Sequence, residues 1–408
     1  MLLERNIYLK KLCKVRDAKL IKTLTGPRRC GKTTVFLQFI KILKKDIRDY
    51  QIIYINFDKR ENKYLIDIEQ LENYIDERII RGIKMYLFLD EISNVNGFED
   101  LVAKYFKNKH IDIYLSGSNS YLSSTHLKSK FFNRMVSIKM LPFTFHEFYD
   151  LHAGNEKCKQ QLYKKYCQCG GIPILMHFLA DEELVEIIVN SIIDGILGRH
   201  VIPRFNIRNI LLLKKVLEFA MINIGKYFDA NDVVEFLVKN KFRHTSCKTI
   251  ETYIKSLQDC FMLVTIQKYD IIEDRADIYF YKIYALDINV RNLITNRDYN
   301  FDFDMQLENI VLINVFLKFQ KIYTGVFSII DENENVEIYE VDFVCINKTD
   351  KLYIQVCENL ADVEQYLKKT STLQKLDDGR KLLLTNSKVE EQPFEDIEIK
   401  EVVDFLLE

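Results

Sequence analysis

The chain predicts an α/β fold in which short buried strands alternate with helices, and three observations among its 408 residues carry that prediction. The first is the stretch TGPRRCGKTT, Thr25 to Thr34, which sets Gly26, Gly31, Lys32 and Thr33 in the spacing G-x-x-x-x-G-K-[ST]. The second is its setting. Leu20 to Leu24 is apolar and short enough for a buried strand, while Val35, Phe36, Phe39, Ile40 and Leu43 recur at helical spacing from Thr34 to Lys45. The third is MYLFLDE, Met85 to Glu91, an almost wholly apolar run that ends in two acids.

Strand, glycine-bearing loop and helix together make a phosphate cradle. The glycines let successive backbone N–H groups of Gly26, Pro27, Arg28, Arg29, Cys30, Gly31, Lys32, Thr33 and Thr34 curl around one concavity, proline excepted for its missing N–H. Lys32 reaches the outer phosphates, the Thr33 hydroxyl suits a magnesium ion, and the helix dipole favours an anion at its N-terminus. A glycine-rich turn without nucleotide would not need the strand and helix on either side.

Composition narrows the class. Fifty-eight Lys and Arg against 59 Asp and Glu leave a formal charge of −1, so no nucleic-acid or membrane partner is demanded by the total. Gly (13) and Pro (5) are scarce and apolar residues reach 48%, which describes a globular chain rather than a disordered one. No apolar run is long enough to span a bilayer, and the charged start MLLERNIYLK does not read as a signal peptide, so a cytoplasmic protein is expected. Nine cysteines lack any C-x-x-C spacing, and Cys167 and Cys169 read as buried thiols.

Taken in order, residues 1–19 predict a leading helix with Arg5, Lys10, Lys11, Lys14 and Arg16 on a solvated face. After the loop and its helix, Gln51 to Phe57 is a β-branched and aromatic strand ending in Asp58. Leu65 to Gly82 predicts a surface helix, and Met85 to Glu91 a strand whose Asp90 holds magnesium while Glu91 polarises the attacking water. The alternative is that the two acids only end a strand and cap the helix Gly97 to Phe106. A fourth strand, Ile111 to Leu115, ends in Ser116, Ser118 and Asn119; Ser118 or Asn119 would sense the γ-phosphate, or both belong to an ordinary turn. Met135 to Met140 is a fifth strand. Arg134 before it reads either as a finger reaching a neighbouring subunit's nucleotide or as a surface cation.

The order phosphate loop, YINFD, LFLDE, YLSGSN, Asn133-Arg134 and LPFTFHEF (Leu141 to Phe148) resembles the AAA-type ATPases of bacteria and archaea that carry a C-terminal domain of unknown function. CGGIP (Cys169 to Pro173), IETYIKSLQDCFML (Ile250 to Leu263), QLENI (Gln306 to Ile310) and YEVDFV (Tyr339 to Val344) extend the resemblance over nearly the whole chain. It implies a core sheet of order 5-1-4-3-2, ATP and Mg2+ as ligands, and catalytic roles for Glu91, Asn119 and Arg134. Asn133 departs from the glycine usual before that arginine.

Residues 1–140 are thus expected to form the ATPase core and 141–204 a helical lid broken at Gly170-Gly171-Ile172-Pro173. Residues 205–299 read as three helices and a two-stranded wing, a winged-helix pattern. Its third helix is read as carrying the basic cluster Lys239, Lys241, Arg243, His244 and Lys248, with Lys255 a little further on. Glu251 and Asp259 interrupt this patch, which favours a solvated or interdomain face over DNA. Residues 300–408 have the pattern of a restriction-endonuclease-like α/β domain, with Glu308 on a helix and Asp342 on a strand. Gln355-Val356-Cys357 replaces the acid and lysine of that pattern, and Glu358 lies on the opposite face from Cys357, so the fold is expected without cleavage. Three functions remain: an ATPase acting on an unidentified protein or DNA partner, an ATP switch or scaffold with little turnover, and an ATP-regulated nuclease. A homo-oligomer is compatible with all three. A small-molecule kinase fits the paired acids less well.

Overall fold

A computed structural model of the protein describes residues 3–131, 134–152, 158–242, 245–297, 303–330, 334–348, 350–389 and 392–408. The chain divides into two units, Met1–Pro142 with Asp259–Phe261, and Phe143–Gln258 with Met262–Glu408.

The first unit is organised by five parallel strands, β1 (Ile21–Thr25), β2 (Ile52–Asn56), β3 (Met85–Asp90), β4 (Ile111–Gly117) and β5 (Met135–Lys139), in the order β2-β3-β4-β1-β5. Read from the other edge this is 5-1-4-3-2, as expected. The strands β1, β3 and β4 are buried throughout because both faces are covered. On one face Phe36 and Phe39 of the helix Lys32–Leu43 pack edge-on against Phe88, which stacks on Tyr114 with ring centroids 4.5 Å apart. On the other, Leu87, Leu89, Ile113 and Leu115 join Leu71, Ile75, Leu101 and Tyr105. Successive strand residues point to opposite faces, so the single apolar runs of the sequence supply both layers. Register places Asn56 beside Asp90 and Thr25 beside Gly117, which gathers the strand ends at one edge.

Two helices differ from expectation in length. The leading helix covers Asn6–Val15. The segment read as one helix from Leu65 to Gly82 is a 3-10 turn, Arg60–Ile66, followed by the helix Ile68–Asp76. Asp67 divides them, because its carboxylate accepts from Gln70 N–H at 3.0 Å and so caps the second helix.

The second unit begins with the helices Phe145–His152, Lys159–Cys169 and Glu182–Ile196. The helices Ile210–Ile222, Ala230–Lys239 and Cys247–Asp259 follow, then the hairpin β6 (Leu263–Asp270) and β7 (Arg275–Ala285). After the helices Ile288–Thr295 and Phe303–Lys318 come β8 (Lys321–Ile330), β9 (Val336–Asn347), β10 (Asp350–Cys357), β11 (Arg380–Thr385) and β12 (Ile397–Glu401). The seven strands form one sheet, β12-β11-β10-β9-β8-β6-β7. The hairpin joins it through a short parallel pairing of Lys268–Asp270 with Thr324–Val326. The helix Val363–Gln374 starts at the Asp362 cap, and β12 with the helix Val402–Leu407 completes the core.

The CGGIP stretch has a structural cause in this unit. A side chain on Gly170 would overlap the Asp287 carboxylate, and one on Gly171 would overlap the Phe143 carbonyl. Asp287 accepts from Gly171 N–H at 2.8 Å and caps the helix Ile288–Thr295 through Asn289 and Val290 N–H. Cys167 and Cys169 are buried thiols whose pKa values burial pushes up to about 12, as expected for packing rather than reactive groups.

Candidate functional site

The site grows out of the edge where β1, β3 and β4 end. β1 stops at Thr25 and the loop turns through Arg29 at φ 64° and Gly31 at φ +100° into the helix that begins at Lys32. Gly31 supplies the left-handed turn that a side chain would strain. Gly26 is required for space, since a Cβ there would overlap the carbonyl of Met140.

Lys32 is buried, and its ammonium donates to the carbonyls of Gly26 and Pro27, each at 3.0 Å, and to Ser118 Oγ at 2.9 Å. It stands 3.2 Å from Glu91 Oε1. Burial is the largest single influence and lowers its pKa, but the charge and hydrogen bond of Glu91, with smaller contributions from Cys30 and Asp90, together outweigh it and hold Lys32 above the usual range. Glu91 follows β3 in a left-handed conformation, φ 58°, which swings its carboxylate under Ser118. Ser118 donates to it from Oγ at 2.6 Å and from its N–H at 3.0 Å. Lys32, Glu91 and Ser118 therefore form one network drawn from three elements.

Asp90 belongs to a second network beside it. It accepts from Thr33 Oγ1 at 2.7 Å, Asn56 Nδ2 at 2.8 Å, Tyr54 hydroxyl at 2.9 Å and Ser116 Oγ. Ser116 also accepts from Glu91 N–H at 2.9 Å. Burial raises the Asp90 pKa, against the lowering effect of the Ser116 and Thr33 hydrogen bonds. A buried carboxylate with four neutral donors and no ion pair among the described residues is a place where a divalent cation lowers the cost of charge. The hydroxyl of Thr33 and the carboxylate of Asp90 are the hard oxygen donors that Mg2+ prefers, so the residues fit that ion.

The remaining loop residues lie about the same cradle. Cys30 is buried and its thiol pKa is pushed up by burial, Arg29 is exposed, and Arg28 approaches Asp58 at 3.5 Å. Asn119 is buried, and its side-chain carbonyl accepts from Tyr121 N–H at 3.1 Å, so it caps the turn that follows β4. Arg134 is exposed at the start of β5, where its carbonyl accepts from Ile21 N–H at 2.9 Å. Five strand residues separate that end of the sheet from the cradle, about 15 Å, which puts the chain's own loop out of its reach. Asn133 lies outside the described residues.

Sequence reasoning missed Tyr54 and Asn56, and placed Ser116 at the end of the fourth strand without its bond to Asp90. Their signal was the end of a buried parallel strand with polar residues two apart, as in Y-I-N and S-G-S, which set both side chains toward one face.

The second unit holds its own charged cluster. Asp342 pairs with Lys369 at 2.7 Å and accepts from Val356 N–H at 2.7 Å, and Lys369 also donates to Gln355 Oε1 at 3.0 Å. An ammonium does stand beside Asp342, that of Lys369 on the helix Val363–Gln374. Glu308 accepts from Tyr284 hydroxyl at 2.5 Å and lies 3.7 Å from Lys282, which reaches Glu340 at 2.5 Å. Among the described residues no group of three or more His, Cys, Asp or Glu is placed to hold a metal ion. Of the basic patch, Lys239, Lys241, Lys248 and Lys255 are exposed alongside Glu251, while Arg243 and His244 lie outside the described residues.

Residues 18–149 match the family described as an AAA domain. Together with the glycine loop, the paired acids and the strand order, that match identifies the first unit. It is an AAA-type P-loop domain. Residues 160–300, beyond the AAA domain, match a domain of unknown function. An uncharacterized protein of Haemophilus influenzae is 28% identical over 417 residues, covering 100% of this chain and 99% of that one. An uncharacterized protein of Methanocaldococcus jannaschii is 27% identical, covering 85% of this chain and 76% of that one. A Walker-type ATPase of Pyrococcus abyssi shares the fold, with a TM-score of 0.50 at 14% identity over 72% of this chain and 96% of that one. Among the described residues no helix is long and apolar enough to cross a membrane.

Proposed function

We propose that the AAA domain binds ATP with Mg2+ and hydrolyses it slowly, and that the cycle drives or switches the hold of the protein on a macromolecular partner. The observation that carries this reading is the network Lys32–Glu91–Ser118, set beside the pair Thr33–Asp90. Thr33 and Asp90 would hold Mg2+, which when bound draws negative charge off the phosphate oxygens.

The chain's own residues do the rest. Backbone N–H groups from Gly26 to Thr34 bind the phosphates, and Lys32 turns from the Gly26 and Pro27 carbonyls to the outer phosphate oxygens. That turn releases Glu91 from the ammonium and leaves it as the base that orients water and accepts its proton. Ser118 keeps Glu91 in place and meets the γ-phosphate. We assign this role to Ser118 rather than Asn119, because Ser118 already bonds both Lys32 and Glu91 whereas Asn119 is engaged by Tyr121. Arg134 acts, if on nucleotide, on that of a second copy, and turnover then rises more steeply than linearly with protein concentration; strict proportionality would remove it from that role.

A second reading, a switch with little turnover, is favoured by one observation: the Glu91 carboxylate is already held by the donors Ser118 and Lys32. In either reading residues 141–204 serve as lid, 205–299 as winged helix and 300–408 as an endonuclease-like domain that contacts a protein or DNA partner. Nine free thiols fit the cytoplasm. The deciding experiment compares ATP binding by the native protein and Lys32→Ala. A loss of roughly 10- to 100-fold is expected for a charge-assisted contact, and equal affinity would sink the cradle assignment.

A further inference from the structure

Arg5 stands outside the family of motifs that define the cradle, on the leading helix's N-terminal boundary, and the sequence placed it on a solvated face. In the structure it is 2% exposed. Its guanidinium donates to the carbonyl of Cys30 at 2.8 Å, of Leu141 at 2.9 Å and of Pro142 at 3.4 Å. The ring of Tyr8, one turn along the helix, lies against it with 4.6 Å from the guanidinium carbon to the ring centre. The Tyr8 hydroxyl in turn accepts from Leu141 N–H at 3.2 Å. Gln38, on the helix that follows the loop, fixes this start of the chain by accepting from Arg5 N–H and donating to the Leu3 carbonyl.

Three features make this more than a buried charge with partners. Cys30 is a loop residue, and in a planar trans peptide its carbonyl points opposite to the N–H of Gly31. Holding the carbonyl outward therefore turns that N–H inward, toward the concavity. The other end of the loop is tied to the same segment, since Met140 N–H donates to the Thr25 carbonyl at 2.6 Å and Gly26 packs on the Met140 carbonyl. Finally, arginine is the one side chain whose planar fork can serve three carbonyls on separate segments while staying charged. Its positive charge adds to that of Lys32 beside a site for a polyanion.

We propose that Arg5 is the positioning residue of the phosphate cradle, holding the Cys30–Gly31 peptide in the anion-binding orientation and tying it to Leu141–Pro142, so that phosphate binding and order at the end of β5 are coupled. The proposal rests on the triphosphate reading of the loop. It reaches beyond that reading because it makes the leading helix a working part of the site, and because coupling is reciprocal: whatever orders Leu141–Pro142 must raise affinity at the cradle.

The test uses the full chain and MgATP. Arg5→Ala is expected to weaken ATP binding about tenfold or more, the scale of lost charge-assisted bonds, with turnover at saturating ATP within about twofold of the native value, because uniform binding is what is lost. Arg5→Lys should recover part of the affinity. By hydrogen exchange, ATP should slow the Leu141 amide in the native protein and leave it unchanged in Arg5→Ala. Native affinity in Arg5→Ala, no recovery in Arg5→Lys, or a Leu141 amide indifferent to ATP in the native protein would each overturn the proposal. Should Arg5→Ala not fold, Arg5→Lys decides alone, since a point charge cannot serve three separated carbonyls and native affinity there also overturns it. Lys32→Ala, run in parallel, separates the two ideas. If it binds ATP normally the cradle reading fails; if it loses ATP while Arg5→Ala keeps it, only the role of Arg5 fails.

Discussion

Two clusters of lysine and carboxylate lie on two sheets of this protein, and they differ in what their cations can let go. In the AAA domain Lys32 is held by two loop carbonyls, a hydroxyl and one carboxylate, all beside a glycine loop and the start of a helix. Three of those four partners are neutral and weaker than a phosphate oxygen, so the ammonium is exchangeable. In the second unit Lys282 lies between Glu308 and Glu340, and Lys369 bonds both oxygens of Asp342. Similar residue types thus make a site in one place and a closed ionic network in the other.

The largest expected effect is at Glu91. Glu91→Gln should keep ATP binding and lower turnover on the order of 10²- to 10⁴-fold, the range for a lost general base, while Glu308→Gln leaves turnover unchanged; single-turnover phosphate release measures both. Next is the closed network. Lys282→Met strands Glu308, whose pKa burial already raises against the lowering charge of Lys282, and should cost about 3 kcal/mol in denaturant unfolding. Adding Glu308→Gln should restore roughly half of that, because Glu340 is open to solvent and needs the cation less. A double variant no more stable than Lys282→Met would show that the lysine acts through packing instead.

Asp287 supplies the case with no ion pair among the described residues. Burial, only partly offset by N–H donors from Gly171, Val290 and Asn289, pushes its pKa up to about 6. A carboxyl raised in the folded state stabilises below its unfolded pKa and loses that contribution as pH rises through the folded one. Stability of the native protein relative to Asp287→Asn should therefore fall by up to about 3 kcal/mol from pH 4 to pH 7, and a difference independent of pH would refute the assignment. The smallest effect separates neighbours: Ser118→Ala should lower turnover about tenfold by freeing Glu91, whereas Asn119→Ala should cost only about 1 kcal/mol of stability as a lost cap.

How much of this was legible before any coordinates follows from the range of each interaction. The glycine spacing of Gly26 to Thr33, the acids Asp90 and Glu91 and the buried strands are written in contiguous residues, because a tight loop and a strand end are local structures. The strand order was read from resemblance and not from spacing, since nothing local says that β4 lies between β1 and β3. The division of the helix at Asp67 was also local, and was overlooked because its apolar spacing continues across the cap.

What the sequence by itself determined is the chemistry available at the sheet edge: a cradle, a lysine, a hydroxyl and two acids. What only the tertiary structure decided is how those groups are held and which distant ones join them. Tyr54, Asn56 and Ser116 gather on Asp90, Ser118 rather than Asn119 meets Glu91, Lys369 pairs with Asp342, and Arg5 is buried beneath the loop. The reason is common to all of them. A long or polar side chain reads as solvated in a linear pattern, and only the packed fold shows that buried carbonyls and carboxylates wait within its reach.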